Sequence, residues 1–172
     1  GNLAYRIIQE STSTDYAKVA ITGLSTSGKA QSSLQVIVQS TVTHNSTIYA
    51  IDYIGTRAFD KCTNITGLDV RYGLKTIYQY ALRGCTNLSY VRLPSSITRL
   101  GDHCFYGCSA LKNVYIAKGN PADVSIADET CLPGNSGMTL YVPRTHTNSV
   151  ELWKSKLSAS GCGSKFSSVV KS

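Results

Sequence analysis

At 172 residues the chain has the length of one domain around one core, and 42% apolar residues are ordinary for such a core. It lacks an apolar run near the roughly 18 residues a membrane helix needs, and its 17 Lys and Arg against 10 Asp and Glu are scattered, giving +7 without a basic run. Membrane-spanning and nucleic-acid-binding classes are set aside on these grounds, while abundant Ser and Thr with 16% charged residues suit an extracellular β-rich module.

In chain order, residues 1–33 hold two apolar segments, Leu3–Ile8 and Ala17–Ile21, separated by QESTSTDY, which predicts a β-hairpin. The stretch Gly23–Lys29, GLSTSGK, has the glycine spacing of a phosphate-binding loop. Ala30 stands where a magnesium-binding hydroxyl is needed, and QSSLQVIVQ alternates like a strand instead of opening a helix. A flexible connection is expected there, not a nucleotide site. Leu34, Val36 and Val38 alternate as the first strand of a larger array, and THNST after Val42 reads as a turn.

From Ile54 the chain repeats itself every 23 residues. Ile54, Ile77 and Leu100 begin the units; Ala58, Ala81 and Cys104 follow, then Phe59, Leu82 and Phe105. Cys62, Cys85 and Cys108 come next, then Ile65, Leu88 and Leu111, then Leu68, Val91 and Val114, and last Val70, Leu93 and Ile116. Ile77, Ala81 and Cys85 at i, i+4, i+8 predict a short helix or 3₁₀ segment. Val91 and Leu93, alternating with Tyr90 and Arg92, predict a half-buried strand. One unit alone leaves its apolar side in water, so units must stack, with strands parallel at about 4.8 Å.

After Ile116 the register slips. Asp123 occupies the expected apolar position and Ile126 comes three residues late, so AKGNPADVS is expected to bulge from one edge and Cys131 to take the Phe column. Met138, Leu140 and Val142 predict the last rung strand, stopped by Pro143. Val150, Trp153 and Leu157 share one face of a short helix that caps the open end, and GCGSKFSSVV predicts a turn and a terminal strand.

Ile54-Gly55, Ala58-Phe59, Gly84-Cys85, Leu88, Val91, Leu93-Pro94 and Ile97-Thr98 together resemble the BspA-type leucine-rich repeat of bacterial surface proteins. Leu100-Gly101, Phe105 and Gly107-Cys108 continue the pattern, and LYVPRTHTNSVELWKSK resembles the family's closing segment. Lys61, Leu82 and Cys104 depart from it. The fold expected is α/β but β-rich: a right-handed leucine-rich-repeat solenoid with a parallel β-sheet, an N-terminal β-hairpin cap and a C-terminal helix/strand cap. Residues 1–172 are expected to form a single domain, with the cap hairpin over 1–33, repeats over 34–143 and the closing cap over 144–172.

Three cysteines share one inward column and are expected to be buried thiols, with a bridge between rungs left open by geometry. Cys162, in a Gly-rich turn, is the expected reactive thiol. The set lacks paired zinc spacing. Asn64 and Asn87, each after Cys-Thr, are expected to bond backbone in their turns.

His44, His103 and His146 form no metalloprotease spacing, and no nucleophile sits in a recognisable elbow, so no enzyme activity, cofactor or metal is expected. Instead, Gly67, Tyr90 and Asn113 should form one outward file and Asp69, Arg92 and Tyr115 the next. Tyr and Arg anchor interfaces. Tyr90, Arg92 and Tyr115, with Arg71 and Tyr72 beside them, are therefore the candidate contact residues for a protein partner, the alternative being that they only solvate a strand face. The resemblance implies a secreted or surface-attached module that binds an extracellular protein or cell-surface ligand, its targeting segment lying outside this chain. A structural spacer and a glycan-binding protein are the alternatives.

Overall fold

The computed structural model describes residues 1–9, 17–134 and 137–172. Strand β1 (Leu3–Gln9) pairs antiparallel with β2 (Lys18–Leu24), as the two apolar segments predict. The turn expected between them falls on residues 10–16, outside the described residues. The hairpin does more than cap, because β2 also pairs in parallel with a later strand and so belongs to the first rung. The expected flexible connection is instead a single ordered turn of helix, α1 (Thr26–Lys29). Ser25 caps it by accepting from the Gly28 amide, and the Ser25 amide donates to Asn2 O at 2.9 Å.

β3 (Leu34–Val38) follows, with alternate residues buried. β4 (Thr41–His44) and β5 (Thr47–Ile54) form a hairpin across Asn45-Ser46, both at positive φ, the backbone of a two-residue turn matched to strand twist. Then come β6 (Ile65–Val70), β7 (Thr76–Ile77), β8 (Tyr90–Leu93), β9 (Arg99–Leu100), β10 (Asn113–Ile116) and β11 (Ser125–Ile126). A 3₁₀ turn at Glu129–Cys131, β12 (Met138–Val142), α2 (Ser149–Ala159), a second 3₁₀ turn at Gly163–Lys165 and β13 (Phe166–Lys171) complete the chain.

Successive rungs build two sheets. One runs β13-β12-β10-β8-β6-β3 and is parallel throughout. The other runs β1-β2-β5-β7-β9-β11, with β4 also joined to β5. The column that begins each unit lies in the second sheet, where Ile21, Ile54, Ile77, Leu100 and Ile126 are successive register partners. Ile126 thus takes the place its late arrival in the sequence implies.

Between the sheets each unit makes consecutive β-turns, not the expected short helix or 3₁₀ segment. Arg57, Tyr80 and His103 have φ of 56°, 58° and 51°, and Lys61, Gly84 and Gly107 have 58°, 71° and 74°. A left-handed residue every fourth position cannot belong to a right-handed helix. The freed amides reach the next rung: Phe59 to Ala81 O, Leu82 to Cys104 O and Phe105 to Cys131 O, at 2.7, 2.8 and 2.8 Å. Cys131 therefore fills the Ala58–Ala81–Cys104 position, one residue before the Phe column expected for it. The insertion adds backbone before the turns, and pairing sets the register again from Ile126.

The core lies between the sheets. Ile65, Leu68, Leu88, Leu111, Phe59 and Leu82 are each fully buried, and each such side chain contributes roughly 1.5–3 kcal/mol by leaving water. Of the cysteine column, Cys85 and Cys108 are buried and Cys62 is half-buried. Cys85 donates its thiol to Phe59 O and Cys108 to Leu82 O, both at 3.1 Å. Cys162 is fully buried, and the adjacent Cys131 thiol, then burial, raise its pKa. The reactive-thiol expectation fails there. A glycine-rich sequence signals a turn, not which way the turn's side chain faces.

Trp153 and Leu157 on α2 close the end of the core, and the terminal strand expected over GCGSKFSSVV is β13, which pairs in parallel with β12 and so extends the sheet beyond the expected last rung. The inserted segment is tucked in as well as bulging: Pro121 and Val124 are buried, and Lys118 bonds Ile97 O and Asp123.

Candidate binding surface

Register converts the sequence periodicity into two files on the outer face of the six-stranded sheet. Gly67, Tyr90, Asn113 and Thr139 are successive partners, and so are Asp69, Arg92, Tyr115 and Tyr141. Both predicted files stand, each prolonged by a residue of β12.

The side chains on these files form one stack. The Arg92 guanidinium lies over Tyr90 at 4.7 Å and over Tyr115 at 4.9 Å. Tyr115 stacks on Tyr141, with ring centroids 4.3 Å apart and planes 13° from parallel. A guanidinium held against two aromatic faces gains a favourable quadrupole interaction and loses less freedom on making contacts. Gly67 makes room for Tyr90: a Cβ there would stand 2.4 Å from the tyrosine ring.

Beside the stack, at the ends of β6, β8 and β10, is an open cleft of about 480 Å³. Asp69, Arg71, Tyr72, Arg92, Tyr115 and Pro143 contribute to its walls. Four of the five predicted contact residues therefore share one concavity, and the fifth, Tyr90, packs against Arg92. Tyr72 is 71% exposed at its edge.

A second aromatic file, not foreseen in the sequence, runs along the turns. Tyr80 and His103 have ring centroids 5.3 Å apart, and His103 and Tyr106 5.1 Å. Arg57 and Arg83 lie 5.3 and 5.1 Å from the Tyr80 ring. Arg83 also grips Asp60 through Nε and Nη2 at 2.8 and 2.6 Å, which holds the Asp60 carboxyl below the usual carboxylate range. Gly84 and Gly107, 23 residues apart in a supposed helix, are the sequence signal that could have revealed these turns.

His103 bonds Asp102, whose other partner is the Thr130 hydroxyl at 2.7 Å. The Thr130 bond first and His103 second lower the Asp102 pKa. Thr130 donates to the carboxylate, not to the imidazole, so the three do not form a nucleophile–base relay. His44 and His146 are exposed and lie apart from this group. Asn64 bonds Gly28 O and Gln31 O, and Asn87 bonds Thr63 O, the backbone role expected of both. Among the described residues, no His, Cys, Asp and Glu gather as metal ligands, and no helix is long and apolar enough to cross a membrane.

A family model of the BspA type leucine rich repeat region matches residues 36–144 in six copies. Among solved structures, a leucine-rich repeat protein from Bacteroides ovatus ATCC 8483 aligns with 99% of this chain and 40% of its own, at TM-score 0.65 and 19% identity. One from Bacteroides capillosus ATCC 29799 aligns with 73% of this chain and 86% of its own, at TM-score 0.59 and 25% identity. A leucine rich cell surface protein from Faecalibacterium prausnitzii A2-165 aligns with 98% of this chain and 41% of its own, at TM-score 0.57 and 20% identity. The chain thus spans about two fifths of the Bacteroides ovatus and Faecalibacterium prausnitzii chains. A search of curated proteins gives no match.

Proposed function

The chain belongs to the BspA-type leucine-rich repeat family, and from that premise we propose that it is a non-enzymatic recognition module, secreted or attached to a cell surface, that adheres to an extracellular protein. In this reading residues 1–172 work as one unit, and the outer face of the six-stranded sheet is the contact surface. The observation that carries the proposal is the Tyr90–Arg92–Tyr115–Tyr141 stack beside an open cleft. Such a surface offers broad aromatic contact and forked hydrogen bonding with little ordering left to do on binding. The cell-surface description of the Faecalibacterium relative supports the location.

A glycan-binding reading draws on the same tyrosines, and a spacer reading on the regular stacking alone. Replacing Tyr90, Arg92 and Tyr115 together by alanine separates the three. Loss of binding to immobilised matrix proteins with an unchanged melting curve is the expected result. Unchanged adhesion would favour the spacer, and selective loss of retention on a glycan array the carbohydrate ligand.

A further inference from the structure

Three arginines lie on tyrosine rings, Arg57, Arg83 and Arg92, and the last two differ in one respect. Arg83 lies 5.1 Å from the Tyr80 ring and presents its fork to Asp60, meeting both carboxylate oxygens. Arg92 is stacked more fully, between Tyr90 and Tyr115. Its register partner on β6 is Asp69, the neighbour best placed to neutralise it. Yet the guanidinium is turned onto the rings, and the pair forms no salt bridge. Among the described residues, neither Arg92 nor Arg71 makes a side-chain hydrogen bond or ion pair within the chain. Both line the same cleft.

From this contrast we propose that the cleft takes carboxylate side chains of an acidic, extended protein segment, with the Arg92 fork as the bidentate anchor and Arg71 as the second cation. The proposal rests on the reading of this sheet face as the contact surface, and it names the chemistry of the partner. A planar guanidinium fixed by two rings matches the two oxygens of a carboxylate without further ordering. The cleft crosses the ends of three neighbouring strands, so it spans about 10 Å. That is the length of about three extended residues, enough for two acidic side chains on one side of a strand. The protein's own precedent at Arg83 is a carboxylate, which favours an acidic peptide over a sulfated polysaccharide.

The test is titration of a fluorescein-labelled decaglutamate peptide against the intact chain at low salt, with a serine-glycine peptide of equal length as the uncharged control. Binding of the acidic peptide alone is expected, and Arg92→Ala should weaken it about tenfold or more. Arg92→Lys keeps the charge but not the fork or the stack, and should fail to restore affinity. Lys29→Ala, which removes an equal charge from an exposed site elsewhere, should leave it unchanged. Equal losses in the Lys29 and Arg92 variants would reduce the effect to net charge and overturn the proposal. Binding of dextran sulfate but not of the peptide would overturn it as well. Matrix binding that needs Tyr90, Arg92 and Tyr115 yet ignores excess decaglutamate would remove the carboxylate assignment and leave the contact surface standing.

Discussion

Trp153 donates its indole N–H to the carbonyl oxygen of Lys118, 2.7 Å away and 35 residues back in the chain. The bond ties the closing helix to the inserted segment, and the ring itself is fully buried. Trp153→Phe keeps most of the apolar body but leaves the Lys118 carbonyl without its donor. A loss of about 1–3 kcal/mol is expected, against about 3–5 kcal/mol for Trp153→Ala, which also opens a cavity. Urea unfolding followed by circular dichroism checks both. A phenylalanine variant as stable as the parent would mean that packing alone secures the cap.

Tyr90 and Gly67 give a sharper separation of stability from recognition. The atoms an added Cβ would meet at position 67 are the outer ring atoms of Tyr90, which can swing away, not backbone. Gly67→Ala should therefore change the unfolding free energy by less than about 1 kcal/mol, since alanine is also the better strand residue. It should nevertheless displace Tyr90 from under Arg92 and lower affinity for the partner. Full binding in this variant would show that the tyrosine's position is not part of the surface.

The outer-face files were legible because strand alternation fixes which residues share a face once the 23-residue period is known, and β8 and β10 then align Tyr90 with Asn113 and Arg92 with Tyr115. The helix misreading at Ile77, Ala81 and Cys85 has a geometric cause. A four-residue turn used twice in succession repeats apolar positions at i and i+4 just as a helix does. What separates the two is the sign of φ, and only Gly84 and Gly107 announce it. Arg57 and Tyr80 adopt the left-handed conformation without a residue type that favours it, and His103, a type enriched there, is a weaker signal than glycine and stands in one unit alone. Hence the aromatic file along the turns was invisible, as was the shift of Cys131 by one position.

Lys61 is the misfit in the glycine column. It holds φ at 58° where Gly84 and Gly107 hold 71° and 74°, at a steric cost of about 1–2 kcal/mol for a residue with a Cβ. Lys61→Gly removes that strain but loosens the unfolded chain by about 0.4–1 kcal/mol. A net gain of up to about 1 kcal/mol is expected, read as a higher urea midpoint with an unchanged slope. Gly107→Ala should move stability the other way by a similar amount, because it introduces the same strain. Parallel destabilisation in both variants would show that the Lys61 side chain, which approaches Gly84, contributes more than its backbone costs.

The thiols provide a test of the inward column that does not depend on substitution. Cys85 is bonded to the Phe59 carbonyl and Cys108 to that of Leu82, and both are buried, whereas Cys62 is half-buried. The adjacent Cys108 thiol and then burial raise the Cys85 pKa, the adjacent Cys104 thiol and burial that of Cys131, and the adjacent Cys131 thiol and burial that of Cys162. Burial alone leads for Cys62. Since the thiolate is the reactive form, a maleimide or iodoacetamide pulse on the native chain should label Cys62 first. The others should react only at the rate of opening, and all six should react in urea. The same shifts fix the sign of the alkaline response. A thiol held protonated in the folded state stabilises below its unfolded pKa of about 8.5, and that contribution drains away as pH rises above it. The unfolding midpoint should accordingly fall from about pH 8.5 upwards. A Cys85→Ala, Cys131→Ala, Cys162→Ala variant should lose part of that slope while starting from a lower midpoint. Rapid native labelling of Cys85 or Cys108 would place that column on the outside and undo the stacking of the rungs.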